Sequence, residues 1–259
     1  MAVGSSSSVK KSVENDRKKK VCVECGSTAE KAYKELRGGI IRLSHCELCS
    51  SIVDKYIEYD PILIILDILL HKEQAYRHLL FNRRVDIHWQ LSVVFLLCDA
   101  YIKWWYLKHF DYVNNTNSKH SKNQEISLLE LQFYVMLCAA VVEFVAFLAF
   151  TYNVLKLVSV TTGKIANSSF KDISLALLVS SFAKTFVVPV VLWGSNEMGV
   201  FLPLTRLLVM TSNSESLKVL LNISFVRAFI VVLFANIFVL FLSYSLIDRI
   251  IDLVFMQYI

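Results

Sequence analysis

The chain has 259 residues, of which 55% are hydrophobic and only 19% charged, with a formal net charge of +5. A typical soluble domain carries roughly a quarter charged residues, so this balance argues against an ordinary soluble protein. The charge is also unevenly placed: 15 of the 27 Lys and Arg precede His88. The pattern predicts a small polar module at the N-terminal end followed by a membrane domain.

The opening stretch MAVGSSSSVKKSVENDRKKKV has no apolar signal-peptide core, and Ala2 stands where myristoylation needs glycine. Insertion is expected to be directed by an internal apolar segment. Residues 1–20 are Ser- and Lys-rich and are expected to be disordered.

Cys22, Cys25, Cys46 and Cys49 read C-x2-C-x20-C-x2-C, close to the spacing of a four-thiolate zinc site. Two residues between cysteines let both sulfurs of a tight turn reach one metal, and two such turns complete a tetrahedron. A zinc ribbon over 21–52 is the reading. The competing one, two disulfides, needs an oxidising compartment, and this basic end looks cytosolic. Four thiolates leave no position for water, so Zn2+ here is expected to be structural. Gly26 follows Cys25, where a knuckle often needs positive φ, and Gly38-Gly39 suggests a hairpin turn. His45 reads as a surface neighbour and Cys98 and Cys138 as small buried hydrophobes. The run RKKK at 17–20 would suit nucleic acid, but six acidic residues dilute it. Anionic headgroups or topology are the simpler reading, so no nucleic acid partner is expected.

Asp60-Pro61 is a helix start, with Asp as N-cap and Pro at the first helical position. The apolar run beyond it is too short to span. Asp67, His71, Gln74 and His78 recur on one helical face opposite Ile62, Ile65, Leu66, Leu69, Tyr76 and Leu80. Residues 61–81 therefore read as an amphipathic helix lying in the membrane interface. Asp67 with His71 could ligate a second metal, though a wet polar stripe is the plainer reading. Either way, both are candidates for facing lipid.

Four stretches are long enough to span: 89–107, 131–152, 173–193 and 225–247. Each holds an ionisable residue, respectively Asp99, Glu143, Lys184 and Arg227. A charge at mid-bilayer costs several kcal/mol, so each is expected to face the bundle interior or a polar cavity. Lys184 and Arg227 could instead snorkel, and Asp99 could pair locally with Lys103, four residues on. Pro189 should kink the third span. A fifth segment, 199–210, contains Pro203 and Arg206 and reads as re-entrant or interfacial. The fold class is thus a membrane all-α protein of four or five transmembrane helices, preceded by a cytosolic zinc ribbon and an interfacial helix. Arg83-Arg84 before the first span place the N-terminus in the cytosol. The loop 109–128 would then be lumenal, with Asn114-Asn115-Thr116 as a glycosylation acceptor. No nucleophile elbow, zinc-protease motif or phosphate loop occurs, and seven glycines leave little room for phosphate-cradling turns. Nothing in the sequence argues for an enzyme.

The run VDKYIEYDPILIILDILLHKEQAYRHLLFN (53–82), joined to the four cysteines before it, resembles the homology domain of the eukaryotic Arv family. These are endoplasmic reticulum membrane proteins, named as ACAT-related and required for viability. The resemblance covers about 21–84; beyond it the spans match only in being several and hydrophobic. It implies zinc ligands at Cys22, Cys25, Cys46 and Cys49 and a multi-pass place in the endoplasmic reticulum membrane. It also implies a role in sterol and sphingolipid transport or homeostasis, with membrane lipids as partners. An alternative it allows is a scaffold or assembly subunit supporting a membrane enzyme complex of glycosylphosphatidylinositol anchor synthesis, in contact with those lipid precursors.

Overall fold

The computed structural model describes residues 20–35, 41–83, 88–114, 122–162, 169–186 and 198–256. Two compact units divide at Asp86 and Ile87. Residues 1–19 lie outside the described residues, and Lys20 already belongs to a strand.

The first unit is built from two hairpins. Strands β1 (Lys20–Val21) and β2 (Thr28–Ala29) pair antiparallel, with Val21 opposite Thr28. Strands β3 (Tyr33–Glu35) and β4 (Ile41–Leu43) pair antiparallel, with Lys34 opposite Arg42. The Gly38-Gly39 turn expected between β3 and β4 lies outside the described residues, but the strands on either side pair as it requires. Four very short strands cannot bury much surface. The core is made instead by Cys22, Ala32, Cys46 and Val53. A 3-10 turn (Lys55–Ile57) then leads into helix α1 (Pro61–Leu69).

Asp60 and Pro61 start α1 as read from the sequence, with Asp60 extended at φ −61 and ψ 143. The single helix expected over 61–81 does not form. His71 adopts φ 58, a left-handed conformation that ends α1. The chain restarts as α2 (Glu73–Arg77) and closes in a π-turn (His78–Asn82). The break lets the second half fold back: Tyr76 is wholly buried, and its hydroxyl donates to the Ile68 carbonyl at 3.1 Å.

The second unit is helical. Its elements are α3 (His88–Asn114), α4 (Lys122–Thr162), α5 (Phe170–Ser180) with a 3-10 extension (Ser181–Phe186), α6 (Met198–Leu221) and α7 (Phe225–Met256). Leu148, Leu155, Leu177, Leu217 and Val232 form its centre, and Phe150 stacks on Phe238 with centroids 4.6 Å apart. Among the described residues, two stretches are long and apolar enough to cross a membrane: Leu131–Val158 and Phe225–Leu246. They match the second and fourth expected spans. At 28 residues the first reaches about 42 Å, against a hydrocarbon core of about 30 Å. Only 17% and 22% of these stretches are buried, and side chains such as Val145, Phe234 and Phe241 point outward. A soluble core helix would be mostly covered, whereas these two are apolar and outward-facing, which is consistent with a membrane protein.

The expected third span is shorter as an α-helix than its composition suggests. It is α-helical only to Ser180, then tightens to a 3-10 turn, and residues 187–193 with Pro189 lie outside the described residues. The short segment 199–210 is instead part of the 24-residue α6. Polar residues do not break α6 because hydroxyls fold back on its own carbonyls: Thr205 to Phe201 at 2.9 Å and Ser214 to Met210 at 2.8 Å.

Candidate metal centre and membrane polar groups

The two C-x2-C turns are built alike. In the first, the Gly26 N–H donates to the Cys22 carbonyl at 2.9 Å and the Cys22 N–H to the Ser27 carbonyl at 2.8 Å. In the second, the Ser50 N–H donates to Cys46 at 2.9 Å and the Cys46 N–H to Ser51 at 2.8 Å. Both need a left-handed residue after the second cysteine: Gly26 at φ 77 and Ser50 at φ 58. The Val23 N–H donates to Val53 at 2.9 Å and the Val53 N–H to Ser44 at 2.9 Å, stitching the turns face to face.

The result brings all four sulfurs within 4.8 Å of one another. The Sγ atoms of Cys22 and Cys49 are 3.7 Å apart, as are those of Cys25 and Cys46. All four thiols are free. A sulfur–zinc bond of about 2.3 Å puts tetrahedral sulfurs about 3.8 Å apart, whereas a disulfide requires about 2 Å. The donor set therefore fits one tetrahedral metal ion and not two crosslinks. Burial pushes the Cys22 thiol up to about 12. The Ser27 hydroxyl, 3.2 Å away, draws Cys46 down to about 6 and also lowers Cys25. Ser27 thus favours the thiolate form that a metal needs. Among the described residues, the four cysteines are the single group of three or more possible ligands close enough to hold an ion.

The segment after the cysteines holds the turns in place. Arg77 Nη1 donates to the carbonyls of Val23 and Glu24 at 2.9 and 2.8 Å, inside the first C-x2-C turn. Its Nη2 pairs with Glu73 at 2.8 Å. Glu24 receives Lys55 at 2.8 Å and Gln74 at 3.1 Å, which hold its carboxyl below the usual range. Asp54 is fully buried: its Oδ1 caps the 3-10 turn through the Tyr56 N–H at 3.1 Å, and its Oδ2 lies 2.8 Å from His78 Nδ1 and accepts from Asn82 Nδ2 at 2.8 Å. Sequence reasoning missed Asp54, Arg77 and Asn82. The signal at Asp54 was an N-cap two residues before Tyr56.

The polar stripe has a destination inside the module. Asp67 accepts from the Tyr56 hydroxyl at 2.8 Å and pairs with Lys72 at 2.6 Å, while Gln74 and His78 reach Glu24 and Asp54. His71 sits in the break, and Asp67 and His71 do not join a metal-ligand cluster among the described residues. His45 Nδ1 lies 3.1 Å from the Ser50 carbonyl and is not part of the sulfur cluster. The face of α1 left outward is apolar: Ile62, Leu63, Leu66 and Leu70 are exposed.

In the helical unit two ion pairs join different elements. Lys184 lies 3.1 Å from Asp99 and Lys103 2.6 Å from Glu143. The local Asp99–Lys103 pair expected from i,i+4 spacing is replaced by these longer-range partners. Asp99 and Lys103 sit one turn apart on α3, so each is free to serve a different neighbour. Arg227 is exposed in the first turn of α7. Cys98 is half-buried and Cys138 exposed, not the buried hydrophobes expected. Asn114 ends α3, and the rest of its acceptor sequence lies outside the described residues.

A closed four-sulfur cluster, folded into one unit with the 53–82 segment and continuing into apolar helices, has a match among known families. The Arv1-like family model matches residues 21–217, which spans the cysteine module and most of the helical unit. The chain belongs to the Arv1-like family. It is 35% identical over 213 residues to Protein ARV1 of Homo sapiens, covering 82% of this chain and 76% of that one. It is 29% identical over 224 residues to Protein arv1 homolog of Dictyostelium discoideum, covering 83% and 89%. It is 29% identical over 211 residues to Protein ARV 2 of Arabidopsis thaliana, covering 79% and 85%. No solved structure matches. Family membership suggests a role in lipid homeostasis.

Proposed function

We propose that this protein mediates or regulates intracellular sterol and sphingolipid transport as a multi-pass, non-enzymatic protein of the endoplasmic reticulum membrane, with its N-terminus in the cytosol. The observation that carries this reading is the single family match running from the cysteines into the membrane helices. Cys22, Cys25, Cys46 and Cys49 would hold one structural Zn2+, which fixes the module and performs no chemistry. Four thiolates around Zn2+ leave a net charge of about −2, and Arg77 is the cation bonded to the first cysteine turn. The outward ridge of Ile62, Leu66 and Leu70 is suited to seat the module in the headgroup–acyl boundary.

The test is transfer between vesicles. Purified full-length protein in donor liposomes should speed movement of labelled sterol or sphingolipid to acceptor liposomes above protein-free controls. Equal rates with and without protein, for both lipids, would remove the transport reading.

A further inference from the structure

A line of polar side chains crosses the helical unit. Asn213 on α6 accepts from Ser181, at the start of the 3-10 extension, at 3.3 Å. Lys184 stands three residues on; in a 3-10 turn residues three apart eclipse, so Ser181 and Lys184 share one edge. Lys184 reaches Asp99 on α3 at 3.1 Å, and one turn along α3 Lys103 reaches Glu143 on α4 at 2.6 Å. Beside Lys103, Trp104 Nε1 is buried without an acceptor among the described residues.

Stability alone does not account for this line. Buried ion pairs replaced by apolar side chains of similar volume are often as stable or more so, and interhelical polar contacts in membranes contribute little. Glu143, where the line ends, lies within the apolar stretch Leu131–Val158, and an ionisable residue in a membrane-crossing segment marks a ligand or ion path by default. The four charged groups sum to zero, so the line exerts no net pull on a phosphate. It presents paired acceptors and donors, the complement of a hydroxyl group. The Asp99–Lys184 pair is the open end, with side chains 28% and 30% exposed, while Glu143 and Lys103 are 14% and 20% exposed. A carboxylate and an ammonium 3.1 Å apart can take one hydroxyl together: Asp99 accepts its hydrogen and Lys184 donates to its oxygen.

We propose that Asp99 and Lys184 form the entry of a binding track for the hydroxyl head of a neutral membrane lipid, of sterol or ceramide type, that excludes phosphate-headed lipids. This rests on the lipid reading above and supplies its site. The experiment uses full-length protein in liposomes with three photo-crosslinkable probes: a sterol, a ceramide and a phosphatidylserine. At least one neutral probe should label peptides around Asp99 or Lys184, and the charged probe should not. Asp99→Leu with Lys184→Leu removes both hydrogen bonds to charged groups and should lower that labelling at least about tenfold. Unfolding temperature checks that the double variant is folded, and the milder Asp99→Asn should give a partial loss. Undiminished labelling in a folded double variant, or equal labelling by phosphatidylserine, overturns the site. Capture of a neutral lipid elsewhere on the chain overturns the site but leaves the transport reading standing. Capture of no neutral lipid at all removes both.

Discussion

Asn82 holds Val21 from 61 positions away in the chain. Its Oδ1 accepts the Val21 N–H at 2.8 Å and its Nδ2 donates to the Val21 carbonyl at 2.9 Å, as a neighbouring strand would. The same Nδ2 reaches Asp54 at 2.8 Å. One side chain therefore ties the strand before the first cysteine turn to the buried carboxylate behind the second. Asn82→Leu removes all three bonds and leaves the buried Asp54 Oδ2 with His78 as its one remaining partner. A loss of about 2–4 kcal/mol is expected. Thermal unfolding measures the total, and amide exchange at Val21 should rise more than exchange in α7.

The four-sulfur cluster is readable in the sequence because its signal is local: two cysteine pairs and a glycine suffice. Asp60-Pro61 was readable for the same reason. What could not be read was long-range. The stripe of Asp67, Gln74 and His78 was correctly placed on one side, but its partners Tyr56, Glu24 and Asp54 lie up to 50 positions away. The helix break at His71 carries no glycine or proline, so no local rule marks it. The same holds for Asp99 and Lys103, whose spacing suggests a pair within one helix while packing supplies Lys184 and Glu143. The polar stretch TSNSES hid the full length of α6, because several of its side chains find partners inside the helical unit: Ser214 donates to Met210 and Ser216 to the Ala176 carbonyl of α5, each at 2.8 Å.

The two left-handed positions after the cysteine pairs predict opposite effects. A Cβ at Gly26 would sit 3.6 Å from Arg77 Nε, an ordinary contact, so the cost of Gly26→Ala is the backbone at φ 77. It should destabilise by about 1 kcal/mol. Ser50→Gly relieves the same strain at φ 58 and should stabilise by up to about 1 kcal/mol, less the added freedom of the unfolded chain. Chelator concentration at half-loss of metal should move down for the first variant and up for the second.

Asp67 links the module to acid. Burial works against its charge, but the bonds from Lys72 and Tyr56 outweigh that and hold its carboxyl below the ordinary value of 3.8. A depressed carboxylate contributes stability above its unfolded pKa and loses it as pH falls through the folded one. Comparing Asp67→Asn with the natural protein leaves the cysteines identical in both. The stability gap should be constant from about pH 5 to pH 8 and close below about pH 4. Unfolding temperature against pH reads this directly; a gap that widens in acid would contradict the sign.

The Lys103–Glu143 pair predicts strong coupling between α3 and α4. Lys103→Met alone strands the Glu143 carboxylate, and Glu143→Leu alone strands the ammonium, each costing about 3–5 kcal/mol. The double replacement should recover most of the loss. Unfolding in mixed micelles gives the cycle, and additive single effects would show that the two side chains do not meet.

The most direct measurement is metal content with folding read in the same sample. Full-length protein purified in detergent without added metal should carry about one zinc per chain. Cys46→Ser should abolish it, and chelation should expose the amides of 20–83 to exchange while those of α4 and α7 stay protected. A metal-free protein whose module remains folded and protected would contradict the claim that four sulfurs and one ion organise this end of the chain.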